Sequence, residues 1–121
     1  MKPARHLLGQ EGERRAARAL EAAGYDIVER NARVGHDEID VVARNGEAWV
    51  FVEVKTRRGA GYGAPGEAVT PAKQAKLLRA AAAWLEEHAV PDPVWRFDVV
   101  SVTFLDGVAP IIEIVVNAFG E

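Results

Sequence analysis

Two carboxylates and an amine stand in or beside stretches of the sequence that are otherwise built for burial. Asp40 lies in a run of apolar and β-branched residues, 38–43. Glu53 lies in a second such run, 48–54, and Lys55 follows it directly. Charged groups are costly to bury unless a partner compensates them. A hard divalent cation takes carboxylate ligands, so the pattern indicates metal chemistry.

The dipeptide between the two runs predicts how they pair. Asn45-Gly46 favours a tight hairpin turn with these two residues at its centre. In that register Asp40 faces Phe51, and Glu53 falls on the same face of the hairpin as Asp40 because side chains alternate along a strand. The two carboxylates are then diagonal neighbours, about 7–8 Å apart at the backbone, which lets them share one ion.

The residues alone leave another interpretation open. Lys55 lies on the same face as Glu53, and a salt bridge from Lys55 to either carboxylate would produce the same pattern without a metal. Glu13 lies at the edge of the apolar stripe of a predicted first helix. Its i+4 neighbour is Ala17, which offers no ion pair, so an inward, functional position is favoured for Glu13.

Hydrophobic periodicity and turn residues predict the element order αβββαββ. A helix ends at Gly24, and a second helix begins at the N-cap Thr70 with Pro71 in its first position. We expect an α/β fold, with a mixed β-sheet of about five strands flanked by helices on both faces. The predicted elements are helices 5–23 and 70–88, strands 25–32, 38–43, 48–54, 94–104 and 111–116, and a loop over 56–69.

A set of ordered motifs spans most of the chain and carries a resemblance to a known family. They are Gly9-x-x-Gly12-Glu13, Arg30-Asn31, Glu38-Ile39-Asp40, Phe51-Val52-Glu53-Val54-Lys55, Ala68-Val69 with Lys73, and Arg96-Phe97-Asp98-Val99. Together they resemble the PD-(D/E)XK nuclease superfamily, in its YraN-like branch related to archaeal Holliday junction resolvases. Ile39 stands where the superfamily name has proline.

The resemblance implies a restriction-endonuclease-like fold and a Mg²⁺- or Mn²⁺-dependent endonuclease that acts on DNA, including branched structures. Asp40, Glu53 and Glu13, together with the backbone carbonyl of Val54, are the implied metal ligands. Lys55 completes the implied catalytic set of Asp40, Glu53, Lys55 and Glu13, because its ammonium would position the attacking water or add charge at the phosphate.

Four further residues are candidates for binding nucleic acid. Arg57 and Arg58 follow Lys55 and could contact phosphates, and Tyr62 could stack on an exposed base. A flexible surface connection explains the same glycine-rich loop equally well. Lys73 in the second helix matches the family pattern and is a candidate phosphate contact, although a solvated helix face is the alternative.

The composition is that of one compact domain, 1–121, with a net charge of −3. The charge is uneven: residues 1–80 hold 14 Lys or Arg and 11 Asp or Glu, whereas 81–121 hold 1 and 7. Cysteine is absent, which excludes disulfides and thiolate metal sites. No stretch approaches the roughly 20 apolar residues of a membrane span, and a signal-peptide core is missing, so we expect a cytoplasmic protein.

Two other function classes remain open from the sequence. One is a nucleic-acid-binding module that keeps the nuclease fold without cleaving, and the other is a metal-free scaffold. Three retained charged groups favour the enzyme, because a pure binder has no need of them. By analogy with resolvases, which need two active sites at once, a homodimer is expected.

Overall fold

The computed structural model describes residues 4–59 and 69–119, with side chains from residue 7 onward. In this part of the chain the predicted order αβββαββ is confirmed. The elements are α1 Ala4–Ala22, β1 Asp26–Val34, β2 Asp37–Asn45, β3 Ala48–Arg58, α2 Pro71–Glu87, β4 Trp95–Phe104 and β5 Ile111–Phe119.

The strands form one sheet whose spatial order, β1-β2-β3-β4-β5, follows the chain. Each neighbouring pair is antiparallel except β3 and β4, which run parallel. A parallel pair needs a long crossover, and α2 supplies it. The predicted α/β class and mixed five-strand sheet are therefore confirmed.

The two helices cover opposite faces of the sheet, because successive residues of the central strands point to alternate sides. On one side α1 packs Ala16 and Leu20 against valines of β2, β3 and β4. On the other side α2 packs Leu77 and Trp84 against a cluster that includes Phe51. The central strands are thus buried on both faces.

Capping residues define the helix ends as the sequence predicts. The Thr70 side-chain oxygen accepts a hydrogen bond from the Lys73 backbone N–H at 3.2 Å, so Thr70 is the N-cap of α2. Gly24, just after α1, has φ +96°, a conformation that glycine adopts without strain. On α2, Leu78 is exposed, and Leu77 and Ala80 lie in the buried stripe.

The predicted hairpin register is wrong by two residues. Asn45 pairs with Ala48, so Gly46 and Glu47 form the centre of the turn. Gly46 alone of these two has a positive φ, +63°, as a type II′ turn requires at its first central position. A two-residue shift does not by itself move a side chain to the other face of a strand.

Two local features of the strands also differ from the prediction. β3 extends through Arg58, paired with β4, so 56–58 belong to a strand rather than to a loop. Ile39 packs in the cluster beneath α2 with Val42, whereas Val41 packs on the α1 side, so the alternation along β2 is interrupted between Ile39 and Val42. On the neighbouring strand β1, Asn31 lies opposite Asp40, between the pairs Arg30–Val41 and Ala32–Ile39. Its φ of +53° interrupts the regular alternation of side chains there.

Candidate metal and active site

The predicted carboxylates meet at the point where β2 and β3 separate. The ladder between these strands ends at the pair Val41–Val52, and Asp40 and Glu53 are the next residues on each strand. Asp40 Oδ2 accepts a hydrogen bond from the Val54 backbone N–H at 2.8 Å. The Asp40 carboxylate therefore takes the place of a ladder carbonyl and is fixed against β3.

Glu53 is a buried carboxylate with two ammonium groups beside it. Its side chain is 7% exposed, and its Oε2 atom lies 3.5 Å from Lys55 Nζ and 3.6 Å from Lys73 Nζ. Both distances are those of ion pairs and exceed the usual length of a charge-assisted hydrogen bond. The structure thus brings Lys73, predicted only as a phosphate contact, into the carboxylate site itself.

The surroundings of Asp40 raise its pKa from 3.8 to about 7. Burial is the largest cause, and repulsion from Glu53 is the next; the hydrogen bond from Val54 opposes both. Smaller effects come from Glu13, which raises the pKa, and Lys73, which lowers it. Near neutral pH the metal-free site therefore holds a proton in much of the population, and a cation would favour its release.

Glu13 lies near this site because α1 packs closely against β3. A Cβ atom on Gly12 would overlap the side chain of Thr56, so only glycine permits this helix position. Glu13 is the next residue, and it is half-buried. Its repulsion of Asp40 shows that the predicted third carboxylate lies within electrostatic range of the pair.

The donor atoms fit a hard divalent cation, although the side chains are not closed around one. Among residues 4–59 and 69–119, no three carboxylate or imidazole groups lie close enough together to hold an ion. Half-buried Asp40 and buried Glu53 repel each other, and their carboxylates are nevertheless the oxygen donors that Mg²⁺ and Mn²⁺ prefer. Side-chain rotation would be needed to bring Glu13 into such a set.

The other predicted nucleic-acid contacts lie beyond Lys55 along β3. Arg57 is half-buried and Arg58 is exposed at the end of the strand. Both interact with other groups of the protein. Tyr62 lies outside the described residues. A role in nucleic-acid binding stays a prediction for all three.

A second buried acid, Asp98 on β4, is surrounded by hydrogen-bond donors from other parts of the fold. Its carboxylate accepts hydrogen bonds from Tyr25 Oη at 2.5 Å, Arg96 Nε at 2.9 Å and the Asn117 backbone N–H at 2.9 Å. Burial, and then the hydrogen bond to Asp98, raise the pKa of Tyr25. These partners tie β5 and Tyr25, the residue before β1, to β4. No sequence pattern indicated them, because they are far apart along the chain.

The carboxylate site does not coincide with the surface cavity at the turn end of the hairpin. That cavity has a volume of about 480 Å³ and is lined by residues that include Arg44, Trp49 and His88. Neither Asp40 nor Glu53 lines it. The chemistry of the paired carboxylates, rather than a concave shape, identifies the candidate site.

The fold and the site together define an α/β domain whose mixed sheet carries paired carboxylates and two lysines at one end. The chain belongs to the uncharacterised protein family UPF0102, whose model matches residues 12–102 and so includes every candidate site residue.

Relatives of the same family name match most of the chain. The UPF0102 protein of Geobacter sulfurreducens is 51% identical over 113 residues, 93% of this chain and 88% of its own. That of Beutenbergia cavernae is 54% identical over 99 residues, 82% and 84% of the two chains. That of Nocardia farcinica is 48% identical over 109 residues, 90% and 86%. Neither of the described helices has the length and apolar character needed to span a bilayer.

Proposed function

We propose that this protein is a metal-dependent endonuclease of the PD-(D/E)XK type that hydrolyses phosphodiester bonds in DNA. One observation supports the proposal above others: Asp40 and Glu53 lie side by side where β2 and β3 separate, with Lys55 beside them. The resemblance to junction resolvases makes branched DNA the preferred substrate to test.

The residues of the chain have distinct roles in this proposal. Asp40 and Glu53 would hold Mg²⁺ or Mn²⁺, with Glu13 and the Val54 backbone carbonyl as further ligands. The bound ion would supply positive charge at the phosphate and lower the pKa of the attacking water. The Val54 N–H keeps the Asp40 carboxylate in place through its 2.8 Å hydrogen bond.

Lys55 would act on the substrate side of the site. Its backbone pairs in register with Ser101 of β4. Its ammonium has three donors, of which one can remain on Glu53 while the others orient a water or a phosphate oxygen. A rigid strand therefore presents a compact cation next to the carboxylates.

The direct test is cleavage of a panel of labelled DNA substrates by the purified protein. Duplex, single-stranded, flap and four-way DNA would each be incubated with Mg²⁺, with Mn²⁺ and with EDTA. We expect cleavage with either metal and none with EDTA. Binding without cleavage under every metal condition would contradict the enzyme.

Two variants test the ligands. Asp40→Ala and Glu53→Ala should each lower cleavage by more than about 100-fold. Removing a residue that only hydrogen-bonds to a metal ligand lowers activity by up to about 100-fold, and removing a ligand itself should cost more. Glu38→Ala is the matched control, because Glu38 is an exposed carboxylate on the same strand. Thermal melting would show that the folds persist, and full activity in either ligand variant would refute the site.

A non-catalytic nucleic-acid-binding module is the second candidate. One observation favours it: in the described residues the carboxylates are not arranged as a ready three-ligand set. It predicts DNA binding that is equal with Mn²⁺ and with EDTA. Loss of binding on addition of EDTA would argue against it.

A further inference from the structure

The two lysines at the site contact the same oxygen atom. Lys55 Nζ and Lys73 Nζ lie 3.5 and 3.6 Å from Oε2 of Glu53. Together the two ammonium groups carry the charge of one divalent cation. In the metal-free protein they are therefore the counter-charge of a carboxylate that is 7% exposed.

The two lysines are held in different ways. Lys55 lies on a strand that is paired with β4 on one side, and its side chain is 29% exposed. Lys73 lies in the first turn of α2, and its side chain is 44% exposed. Lys73 therefore has more open solvent into which its flexible stem can turn.

Lys73 also faces the second carboxylate. Its positive charge lowers the pKa of Asp40, partly offsetting the effects of burial and of Glu53. Its 3.6 Å ion pair places it against Glu53 at the same time. The Lys73 ammonium thus acts on both of the carboxylates that would hold a metal ion.

We propose that Lys73 is a displaceable counter-ion, whose ammonium stands by Glu53 until a divalent cation binds and then turns outward to contact a phosphate of the substrate. This inference rests on the proposed function. An ammonium and a divalent cation repel each other at such short range, so both cannot keep the same position beside one carboxylate.

The position of Lys73 on α2 suits the second half of this exchange. The N-terminus of a helix carries partial positive charge, which favours nearby anions. Thr70 caps this end by accepting the Lys73 N–H, so the backbone of the first turn stays in place while the side chain moves. A released Lys73 would remain in a region that attracts phosphate.

Amine labelling tests the displacement without any cleavage. The wild-type protein would be treated with an acylating reagent in EDTA and in Mg²⁺, and the modified lysines would be quantified by mass spectrometry. We expect Lys73 to be acylated several-fold faster in Mg²⁺, because Glu53 no longer holds it. Lys76, an exposed lysine on the same helix, is the internal control and should not change.

Mn²⁺ affinity, measured by calorimetry without DNA, tests the competition. Lys73→Met keeps the apolar stem and removes the charge, so Mn²⁺ should bind about fivefold more tightly, at the lower end of typical coupling between sites. Lys76→Met, a matched control one turn further along α2, should change the affinity little. Equal Mn²⁺ affinity in wild type and Lys73→Met would overturn the competition.

DNA affinity tests the transfer to phosphate. Fluorescence anisotropy with labelled four-way DNA would be measured in Ca²⁺, which takes oxygen ligands, and in EDTA. Lys73→Met should weaken binding about fivefold in Ca²⁺ and hardly at all in EDTA, because only the metal releases the lysine. An equal loss in both conditions would overturn the exchange.

The outcomes separate this inference from the proposed function. Failure of the wild-type protein to bind Mn²⁺ would overturn both. Binding of Mn²⁺ with unchanged Lys73 acylation would overturn only the displacement of Lys73 and leave the nuclease proposal standing.

Discussion

Ionisation of the Asp40 carboxyl group is unfavourable when no cation is bound. Its pKa is raised to about 7 in the folded chain, against an ordinary value of 3.8. The folded state therefore binds this proton more tightly than the unfolded state does, and the two states respond differently to pH.

The pH dependence of stability follows from this difference. In EDTA, the Asp40 proton makes its full contribution to the free energy of unfolding below about pH 4. That contribution is lost as pH rises through about 7, at a slope of at most about 1.4 kcal/mol per pH unit. Urea denaturation across this range measures it. Asp40→Asn, whose amide oxygen can still accept the Val54 N–H, should flatten the slope and be the more stable protein at about pH 8. An unchanged slope in Asp40→Asn would show that other groups cause it.

Lys55 separates metal binding from turnover. Lys55→Met should keep Mn²⁺ binding in calorimetry, because no proposed ligand is removed. It should lose cleavage by about 100-fold or more, as expected when a group that stabilises the transition state is removed. Cleavage equal to that of the wild type would remove Lys55 from the mechanism.

The sequence identified residue types better than residue partners. Asp40, Glu53 and Lys55 could be predicted because charges inside β-branched runs are unusual. The contact of Lys73 with Glu53 could not, since it depends on how α2 lies across the sheet. The partners of Asp98 were hidden for the same reason.

At the scale of elements, the hairpin shows what a pattern can and cannot determine. The alternation of buried and exposed residues distinguishes strand registers that differ by one residue. Registers that differ by two residues bury the same faces and cannot be distinguished in this way. Asn45-Gly46 therefore indicated the turn correctly and its centre wrongly. In the observed register Asp40 and Glu53 became adjacent rather than diagonal.

The close approach of α1 to β3 gives a prediction about one helix. Gly12→Ala places a methyl group against Thr56, which should cost about 1–3 kcal/mol of stability and weaken Mn²⁺ binding by moving Glu13. Gly9→Ala is the matched control: nothing lies within 4 Å of its added Cβ. It should stabilise the helix by up to about 1 kcal/mol. Thermal melting and calorimetry of both variants would check this, and equal behaviour would contradict the tight contact.

At the scale of the whole molecule, the charge distribution bears on DNA binding. The net charge of −3 conceals an excess of Lys and Arg in residues 1–80, where the candidate site lies. DNA binding should therefore weaken steeply as salt rises, since counterions are released from each neutralised phosphate. Anisotropy titrations over a range of salt concentrations measure the slope. An affinity that does not depend on salt would indicate a ligand other than nucleic acid.

The architecture was almost fully predictable because its local signals agree with one another. β-branched runs mark the strands, and the Thr70-Pro71 cap marks the start of α2. The long helical connection between β3 and β4 allows that pair to be parallel, as the structure shows. Strand ends were less predictable: pairing with β4 extends β3 to Arg58, and the local sequence cannot show this.

The parallel pair of β3 and β4 also governs the order of folding. The hairpin that carries Asp40 and Glu53 closes a loop of a few residues, whereas residues 59–94 separate β3 from its partner. Closing the longer segment costs more chain entropy and is slower. We therefore expect the ribbon that carries both carboxylates to form before β4 joins it, so the two acids come together while one edge of β3 is still open.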